Sequence, residues 1–274
     1  MIDIHTHLHP PKLFAAIRRW FAERSTWDLA DQPTEPAAVA AVMRAAGIER
    51  FVFCSYAHKP GIARELNRWL AQTSRELGGY GVPLATVHPD DPEYVDDLRV
   101  ALDAGCIGLK LHEDVQRLAA DDLRFDPIYE EMAARGAFLL VHVGPIPWHF
   151  APGPGLARIV RVARKHPALA IVVAHFGLPD SRGYFEAMAS APLLHVDTTM
   201  AFAPEFARQG GIDARLIAAY PDRVLYGSDF PNVPYPYATE LHEIEALGLP
   251  QNVVRALVRD NAARLLARAG VRCD

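Results

Sequence analysis

Two histidines, His5 and His7, stand two residues apart in the apolar segment that opens the sequence. In a β-strand, residues i and i+2 point to the same face, roughly 6.6 Å apart along the chain. Two imidazoles at the end of a strand can therefore bind one divalent metal ion. The pair alone is equally compatible with two solvated or hydrogen-bonded histidines, so the interpretation depends on further candidate ligands.

Three more candidates, His142, His175 and Asp229, close apolar runs elsewhere in the chain. A polar group that ends a buried strand needs a partner, and a metal ion can be that partner. We expect His5, His7, His142 and Asp229 to bind one divalent ion. His175 either joins them or orients water or substrate without touching the metal. A carboxylate beside a cation stays ionised and can accept a proton from water, so Asp229 is also the candidate general base.

Lys110 ends another apolar run, where an unpaired buried ammonium would be costly. Three roles remain open for it: a carbamylated bridge between two metals, a cation that binds a substrate carboxylate, or a structural partner of an acid. His112 shares its face of the strand. An apolar pocket over the metal could be walled by the loop 144–155, which includes Trp148 and Phe150, and by other aromatic residues. These are Trp20, Trp27, Phe202, Tyr235 and Tyr237.

The elements that must position these side chains alternate along the chain. Apolar strand candidates, rich in Val, Ile, Leu and Phe, occupy 2–7, 50–57, 81–88, 105–112, 137–143, 168–175, 193–198 and 223–229. Amphipathic helix candidates occupy 35–46, 64–77, 93–104, 127–135, 156–165 and 251–269. Eight such units of about 34 residues predict an α/β fold of the (β/α)8 barrel type. The candidates at the ends of strands 1, 5, 6 and 8 favour this fold over an open sheet, because closure makes strand 8 the neighbour of strand 1.

Composition narrows the class of protein. The 274 residues predict one domain, 1–274, and the net charge of −5 gives no basic excess for nucleic acid. No apolar run reaches the roughly 18 residues of a membrane helix. Three widely spaced cysteines and no room for a signal peptide before His5 predict the cytoplasm. The apolar stretch 192–203 could serve a homodimer interface, and the expected partner is a small-molecule substrate.

Six segments together resemble the amidohydrolase superfamily, in its amidohydrolase-related branch of aminocarboxymuconate-semialdehyde decarboxylase-like enzymes. They are Asp-Ile-His-Thr-His (3–7), Gly-Leu-Lys-Leu-His (108–112), Val-His-Val-Gly (141–144), Ala-His-Phe-Gly (174–177), Gly-Ser-Asp-Phe-Pro (227–231) and Asp-Asn-Ala-Ala-Arg-Leu-Leu (260–266). The resemblance implies a distorted (β/α)8 barrel with one divalent metal, most often Zn²⁺, with Mn²⁺ as the alternative. It also implies that His5, His7, His142 and Asp229 are the ligands and His175 the catalytic histidine.

The leading functional hypothesis is metal-dependent hydrolysis of an ester, lactone or amide. Asp229 would take the proton of water, His175 would steady the developing oxyanion, and Lys110 would hold a substrate carboxylate. The alternative is non-oxidative decarboxylation of an unsaturated or aromatic acid. The decarboxylases carry an inserted segment and a substrate-binding arginine that have no clear equivalent in this sequence. A third reading, a non-catalytic metal-binding scaffold, is disfavoured by an intact ligand set beside an acid–base group.

Overall fold

A computed structural model describes residues 1–143, 153–203 and 213–273. In these ranges, eight short strands alternate with helices. The strands are Ile2–His7 (β1), Arg50–Cys54 (β2), Gly81–Pro83 (β3), Gly108–His112 (β4), Phe138–His142 (β5), Ala170–Val173 (β6), Leu194–Asp197 (β7) and Val224–Leu225 (β8). Each lies inside a segment that the sequence predicts as a strand.

The helices flank the strands in chain order. They are Pro11–Arg24 (α1), Pro36–Ala45 (α2), Ala63–Glu76 (α3), Tyr94–Asp103 (α4), Glu113–Gln116 (α5), Asp126–Ala134 (α6), Gly155–Lys165 (α7), Ser181–Ala187 (α8), Arg215–Ala219 (α9), Thr239–Ala246 (α10), Gln251–Arg255 (α11) and Asn261–Arg268 (α12). A π-helical turn, Ala256–Asp260, joins α11 to α12. No helix of the described residues is both long and apolar enough to cross a membrane.

All strand pairs are parallel, and their order follows the chain. One ladder runs β1-β2-β3 and the other β4-β5-β6-β7-β8. Backbone hydrogen bonds continue across both seams. Lys110 N–H donates to the Ala85 carbonyl at 2.9 Å beside β3, and Ile4 N–H donates to the Tyr226 carbonyl at 2.9 Å beside β8. The strands therefore follow one another around a distorted (β/α)8 barrel, which confirms the predicted fold class.

The observed strands end earlier than the predicted ones, chiefly at the carboxyl end. The third predicted strand extends to residue 88, but the regular strand ends at Pro83 and is followed by an isolated bridge between Ala85 and Leu109. The eighth strand ends at Leu225 rather than Asp229. Asp229 has a φ of 59°, which no extended strand contains. The polar residues at these ends thus belong to the loops above the barrel, where backbone direction can change to aim a side chain.

The two faces of the strands feed two hydrophobic clusters. Leu139 and Val141 of β5 belong to the larger, outer cluster, which also contains residues of the helices. Phe138 and Leu140 belong to a smaller, inner cluster. This inner cluster also takes in three residues of α12: Ala262, Leu265 and Leu266. Lys110 pairs with Leu140 and shares its inner face, and His142 lies on the same face two residues nearer the carboxyl end. The candidate site therefore lies directly above the inner core.

The contact between Gly136 and α12 gives a test of how this end of the fold is held. Gly136 has a φ of +67°, and a Cβ there would meet the carbonyl oxygen of Arg268. Gly78 has a φ of +64° and open space around it. We expect Gly78→Ala to cost about 1 kcal/mol of unfolding free energy through backbone strain alone. Gly136→Ala should cost a further 1–3 kcal/mol or so through the clash, as measured by urea unfolding. Equal losses in the two variants would contradict this packing.

Candidate metal centre

A β-bulge in β1 places the first two histidines. Asp3 pairs with Phe51 of the outer cluster, whereas His7 pairs with Cys54 of the inner one, and the register shifts between Asp3 and Thr6. Residues 3 and 7 would share a face in a regular strand, so the bulge is what separates them. The rings of His5 and His7 end with their centroids 5.2 Å apart.

Asp229 meets both histidines at the seam between β8 and β1. Its Oδ1 lies 3.2 Å from Nε2 of His5 and 2.9 Å from Nε2 of His7. The left-handed backbone at Asp229 is held by its own N–H, which donates to the His5 carbonyl at 2.8 Å. Burial acts to raise the pKa of Asp229, but His7, His5 and His175 outweigh it and keep the pKa well below its usual range. The carboxylate is therefore ionised at neutral pH.

His5 is oriented by Asp197 at the end of β7. The Asp197 carboxylate accepts a hydrogen bond from His5 Nδ1 at 2.8 Å, so the lone pair of this imidazole lies on Nε2. Lys110 Nζ donates to that Nε2 at 2.8 Å. Burial, and then the Lys110 ammonium, lower the pKa of His5 to about 4. His5 is thus neutral at neutral pH and presents Nε2 towards Asp229, as a metal-binding histidine must.

His7 has a sulfur partner. Cys54 Sγ lies 3.5 Å from Nδ1 of His7, on the opposite edge of the ring from Asp229. Burial acts to lower the pKa of His7, but Cys54 and Asp229 together raise it to about 9. The thiol and the two histidines bring ligand atoms within 4.8 Å of one another. Since Cys54 faces the other nitrogen of His7, it is placed to orient this ring rather than to share its ion.

His142 and His175 form a pair above β5 and β6. Nδ1 of His175 lies 3.2 Å from the carbonyl oxygen of Thr199, which can only accept, so Nδ1 carries the proton. Its Nε2 then accepts a hydrogen bond from Nδ1 of His142 at 2.8 Å. This arrangement leaves the lone pair of His142 on Nε2. Burial lowers the pKa of His175, which favours its neutral form.

The donor set fits a divalent metal ion. Ligands 2.1 Å from a tetrahedral zinc are about 3.4 Å apart, close to the spacings of Asp229 Oδ1 from the two histidines of β1. His5 also shows the carboxylate–histidine pairing that is common behind metal ligands. The predicted residues are therefore brought together. His5, His7 and Asp229 are in contact, Lys110 contacts His5, and the His142–His175 pair lies beside them, with the His175 ring centroid 5.8 Å from that of His5.

Three residues that support the site are not predicted from the sequence. Asp197, fully buried, binds His5 and also accepts from the His175 N–H at 2.9 Å and from Thr199 Oγ1 at 2.5 Å. A signal for Asp197 is present in the sequence, because it lies one residue before the end of the seventh predicted strand, much as the candidate ligands lie at the ends of theirs. Cys54 and Thr199 carry no such signal, since a thiol or hydroxyl after an apolar run is common. The ring of His112, which the sequence places on the same face as Lys110, stacks on the ring of His142 with the two centroids 3.9 Å apart.

A cavity of about 710 Å³ opens above these residues. Trp20 and Trp27 line it, as predicted, together with Phe21 and Tyr56, which were not predicted. Three predicted wall residues, Phe202, Tyr235 and Tyr237, are instead buried in the core. Trp148 and Phe150 lie outside the described residues. Among the described residues, the apolar wall is built mainly by α1 and the segment after it.

Comparison with known families identifies the chain. The amidohydrolase family model matches residues 2–268, nearly the whole sequence. The chain belongs to the amidohydrolase family. Members bind divalent metal ions, so this amidohydrolase is a metal-dependent enzyme of that superfamily. A comparison with curated protein sequences found no match.

Solved structures share the fold of this amidohydrolase at low sequence identity. An uncharacterised TIM-barrel protein of Bordetella bronchiseptica is 21% identical, with a TM-score of 0.73 over 99% of this chain and 100% of its own. The 5-carboxyvanillate decarboxylase LigW2 of Novosphingobium aromaticivorans, with bound manganese, is 17% identical, with a TM-score of 0.68 over 97% and 96%. A probable 2-pyrone-4,6-dicarboxylic acid hydrolase of Acinetobacter baumannii, with bound citric acid, is 13% identical, with a TM-score of 0.68 over 97% and 98%.

The position of Asp197 behind His5 leads to a prediction about metal affinity. We expect Asp197→Asn to weaken zinc binding about 10- to 100-fold, because the amide is a poorer acceptor for the Nδ1 proton and His5 becomes a weaker ligand. Competition with a chromogenic chelator measures this directly. Asp222→Asn, an exposed carboxylate near the opposite end of β8, is the control and should bind zinc as the wild type does. Unchanged affinity in Asp197→Asn would contradict the orienting role.

Proposed function

We propose that this amidohydrolase hydrolyses an ester, lactone or amide of a small carboxylate-bearing molecule, using one divalent metal ion. The observation that supports it best is the position of Asp229. One carboxylate oxygen lies within 3.2 Å of the inward nitrogens of both His5 and His7. A metal ligand that is also a proton acceptor is what activation of water requires.

The proposed ligands are His5, His7, His142 and Asp229, a nitrogen-rich set with one carboxylate that suits Zn²⁺. Manganese is the alternative, because LigW2, which has the same fold, holds it. When bound, such an ion lowers the pKa of water towards neutrality and polarises a carbonyl group. Because these four residues are the proposed ligands of a single ion, Lys110 is not proposed as a ligand.

In the proposed reaction, Asp229 accepts the proton of the attacking water and delivers it to the leaving group. The tautomer of His175 refines the role that the sequence suggests for it. In the neutral ring, Nδ1 donates to Thr199 and Nε2 accepts from His142, so neither nitrogen has a proton left for an oxyanion. We therefore assign His175 to orienting His142, with Thr199 fixing the His175 ring, and leave the proton of the water to Asp229.

Lys110 is proposed to bind a carboxylate of the substrate. The Lys110 residue is almost fully buried, its Nζ contacts His5, and it lines the cavity. A buried ammonium attracts an anion strongly, because little water screens it. Among the described residues Nζ contacts a histidine and forms no ion pair with an acid, which favours anion binding over the structural role.

Decarboxylation of an unsaturated or aromatic acid is the second candidate. It is favoured by the fold shared with LigW2, a decarboxylase, and by the aromatic wall that α1 contributes to the cavity. In that case Lys110 and the metal would hold the reacting carboxylate, and Asp229 would deliver the proton that replaces carbon dioxide. Because the same residues serve both reactions, only the reaction products distinguish them.

Product analysis in ¹⁸O-labelled water is the experiment that tests the proposal. The zinc-loaded protein would be incubated with a panel of esters, lactones and amides that carry a carboxylate, and with aromatic and unsaturated acids. Hydrolysis places the label in the product, whereas decarboxylation releases carbon dioxide and leaves the product unlabelled. Release of carbon dioxide without labelled product from the other compounds would replace the hydrolase proposal by its alternative.

Asp229→Asn should abolish turnover of the substrate so identified, by at least about 10²-fold, because general base catalysis contributes that much. Asparagine tolerates the left-handed backbone at this position, so the barrel should stay folded by circular dichroism. The assay would be run at saturating zinc, since the variant also loses a ligand charge. Activity that survives at saturating zinc would rule out the base role.

Lys110→Met tests whether Lys110 binds an anion or bridges two metal ions. We expect it to raise the Kd for a carboxylate inhibitor such as benzoate about tenfold while one zinc per chain remains, because the lost charge binds the anion rather than the metal. Elemental analysis beside calorimetry separates the two effects. A wild type with two metals per chain that falls to one in the variant would instead show a carbamylated lysine bridging two ions.

A further inference from the structure

The proposed hydrolysis develops a negative charge that His175 does not stabilise. Attack of water on a carbonyl carbon moves an electron pair onto the carbonyl oxygen, and donors aimed at that oxygen lower the barrier strongly. The sequence-based hypothesis gives this task to His175, but both of its ring nitrogens are engaged, with Thr199 and with His142. A protein donor to the oxyanion must therefore come from another residue of the cavity wall.

The hydroxyl of Tyr56 is one such donor. Tyr56 lines the cavity, and its Oη forms no hydrogen bond with any described residue. Imidazoles surround the ring in edge-on or tilted contacts, with centroids 5.8 Å from His7, 6.0 Å from His9 and 5.4 Å from His112. A phenol is protonated at neutral pH, so the hydroxyl has a proton to donate.

The loop that carries Tyr56 is fixed by the residue after it. The Ala57 N–H donates to Thr86 Oγ1 at 2.8 Å, and the Ala57 carbonyl accepts from Gln116 Nε2 at 3.1 Å. The backbone polar groups next to Tyr56 are thus satisfied inside the protein, whereas its hydroxyl is not. An ordered polar group that faces a cavity without a protein partner is available to a ligand.

The second donor is Nε2 of His112, at the end of β4. Nδ1 of this ring accepts from the Val115 N–H at 3.4 Å, where His112 caps α5, so Nε2 carries a proton in both charge states of the ring. The ring lines the cavity, and Nε2 has no partner among the described residues. Its position is fixed by stacking on His142 at an interplanar angle of 11° and by the backbone N–H, which donates to Gln116 Oε1 at 2.8 Å.

These donors lie across the barrel from the proposed base. Asp229 follows β8, whereas Tyr56 follows β2 and His112 ends β4, four strand positions from β8 in a ring of eight. The rings of Tyr56 and His112 contact each other at 66°, so their polar atoms belong to one part of the wall. A carbonyl group held between the two sides can meet water from the Asp229 side and turn its oxygen towards the donors.

We infer that Tyr56 Oη and His112 Nε2 together donate hydrogen bonds to the carbonyl oxygen of the substrate and form an oxyanion-binding pair. The inference deepens the proposed function and rests on it. As the water oxygen bonds to the carbonyl carbon, the π electron pair moves onto the carbonyl oxygen, and one proton of the water passes to Asp229. The pair returns as the bond to the leaving group breaks, and the leaving group takes the proton from Asp229. Tyr56 and His112 keep their own protons throughout.

Calorimetric titration of the zinc-loaded protein with two probes tests this pair. Benzoate is planar and methyl phenylphosphonate is tetrahedral like the intermediate, but both carry one aromatic ring and one negative charge. We expect the wild type to bind the phosphonate at least about tenfold more tightly, because only the tetrahedral probe places an oxygen where the oxyanion develops. This ratio of the two dissociation constants is the tetrahedral preference.

Tyr56→Phe and His112→Asn should each lower the tetrahedral preference about tenfold, since each removes one hydrogen bond to that oxygen. Asparagine at position 112 keeps an acceptor for the Val115 N–H but has no atom in the place of Nε2. On an ester found with labelled water, Tyr56→Phe should lower kcat about 10²-fold with little change in KM, as expected for a contact that strengthens in the transition state.

Tyr80→Phe is the matched control, because it removes the same atom beside the amino end of β3. The Tyr80 hydroxyl donates to the Ile48 carbonyl at 2.9 Å, so this variant should unfold at a lower temperature yet keep the tetrahedral preference. Tyr56→Phe should show the reverse, an unchanged unfolding temperature with a lowered preference. A purely structural role for Tyr56 would not give that combination.

Zinc content is measured on the same samples to separate the two levels of the argument. A zinc-loaded wild type without the preference, or variants that both keep it, would overturn the oxyanion-binding pair alone. A loss in only one variant would also overturn the pair and leave that residue as the single donor. A wild type that binds no zinc would overturn the proposed function and this inference with it.

Discussion

The contact between Asp229 and the two histidines of β1 is the constraint on which the site depends. His7 and Asp229 are 222 residues apart in the chain and meet only where β8 lies beside β1. The same seam is closed by the Asp229 N–H on the His5 carbonyl and by Ser228 Oγ, which donates to Asp3 at 2.6 Å. The contacts that join β8 to β1 are therefore the same contacts that bring the candidate metal ligands together.

Burying so many ionisable groups together is tolerated because each has a partner that fixes its charge. Asp197 illustrates this, since one carboxylate serves three strands: it holds the ring of His5 in β1, the backbone of His175 after β6 and Thr199 after β7. Lys110 adds the opposite influence and disfavours protonation of His5. The result is a neutral histidine and an ionised carboxylate facing each other, which is the state that a metal ion requires of its ligands.

The sequence predicts the barrel, and it places the candidate ligands at strand ends that the structure brings together, because alternation and hydrophobicity make both patterns visible. It does not predict the bulge in β1, because register is set by pairing with Phe51 and Cys54 rather than by β1 alone. The pattern predicts strand ends too late, because Leu84, Ala85 and Val87 continue the apolar run after Pro83 and Tyr226 continues it after Leu225. The pattern does not predict Asp197 as a partner of His5, because this contact joins two strands and spacing along one strand does not encode it.

The difference between the metal centre and the cavity walls above it explains why the fold says more about the chemistry than about the substrate. The candidate metal centre is built on strand ends whose positions follow from the barrel, and structures only 13% to 21% identical share that fold. The described cavity walls come largely from α1 and from the loops above the strands, whose lengths and residues the barrel does not dictate. Because these segments vary independently of the strands, the shape and charge of the cavity can change while the metal centre stays the same. The choice of substrate is therefore expected to depend on the walls rather than on the barrel.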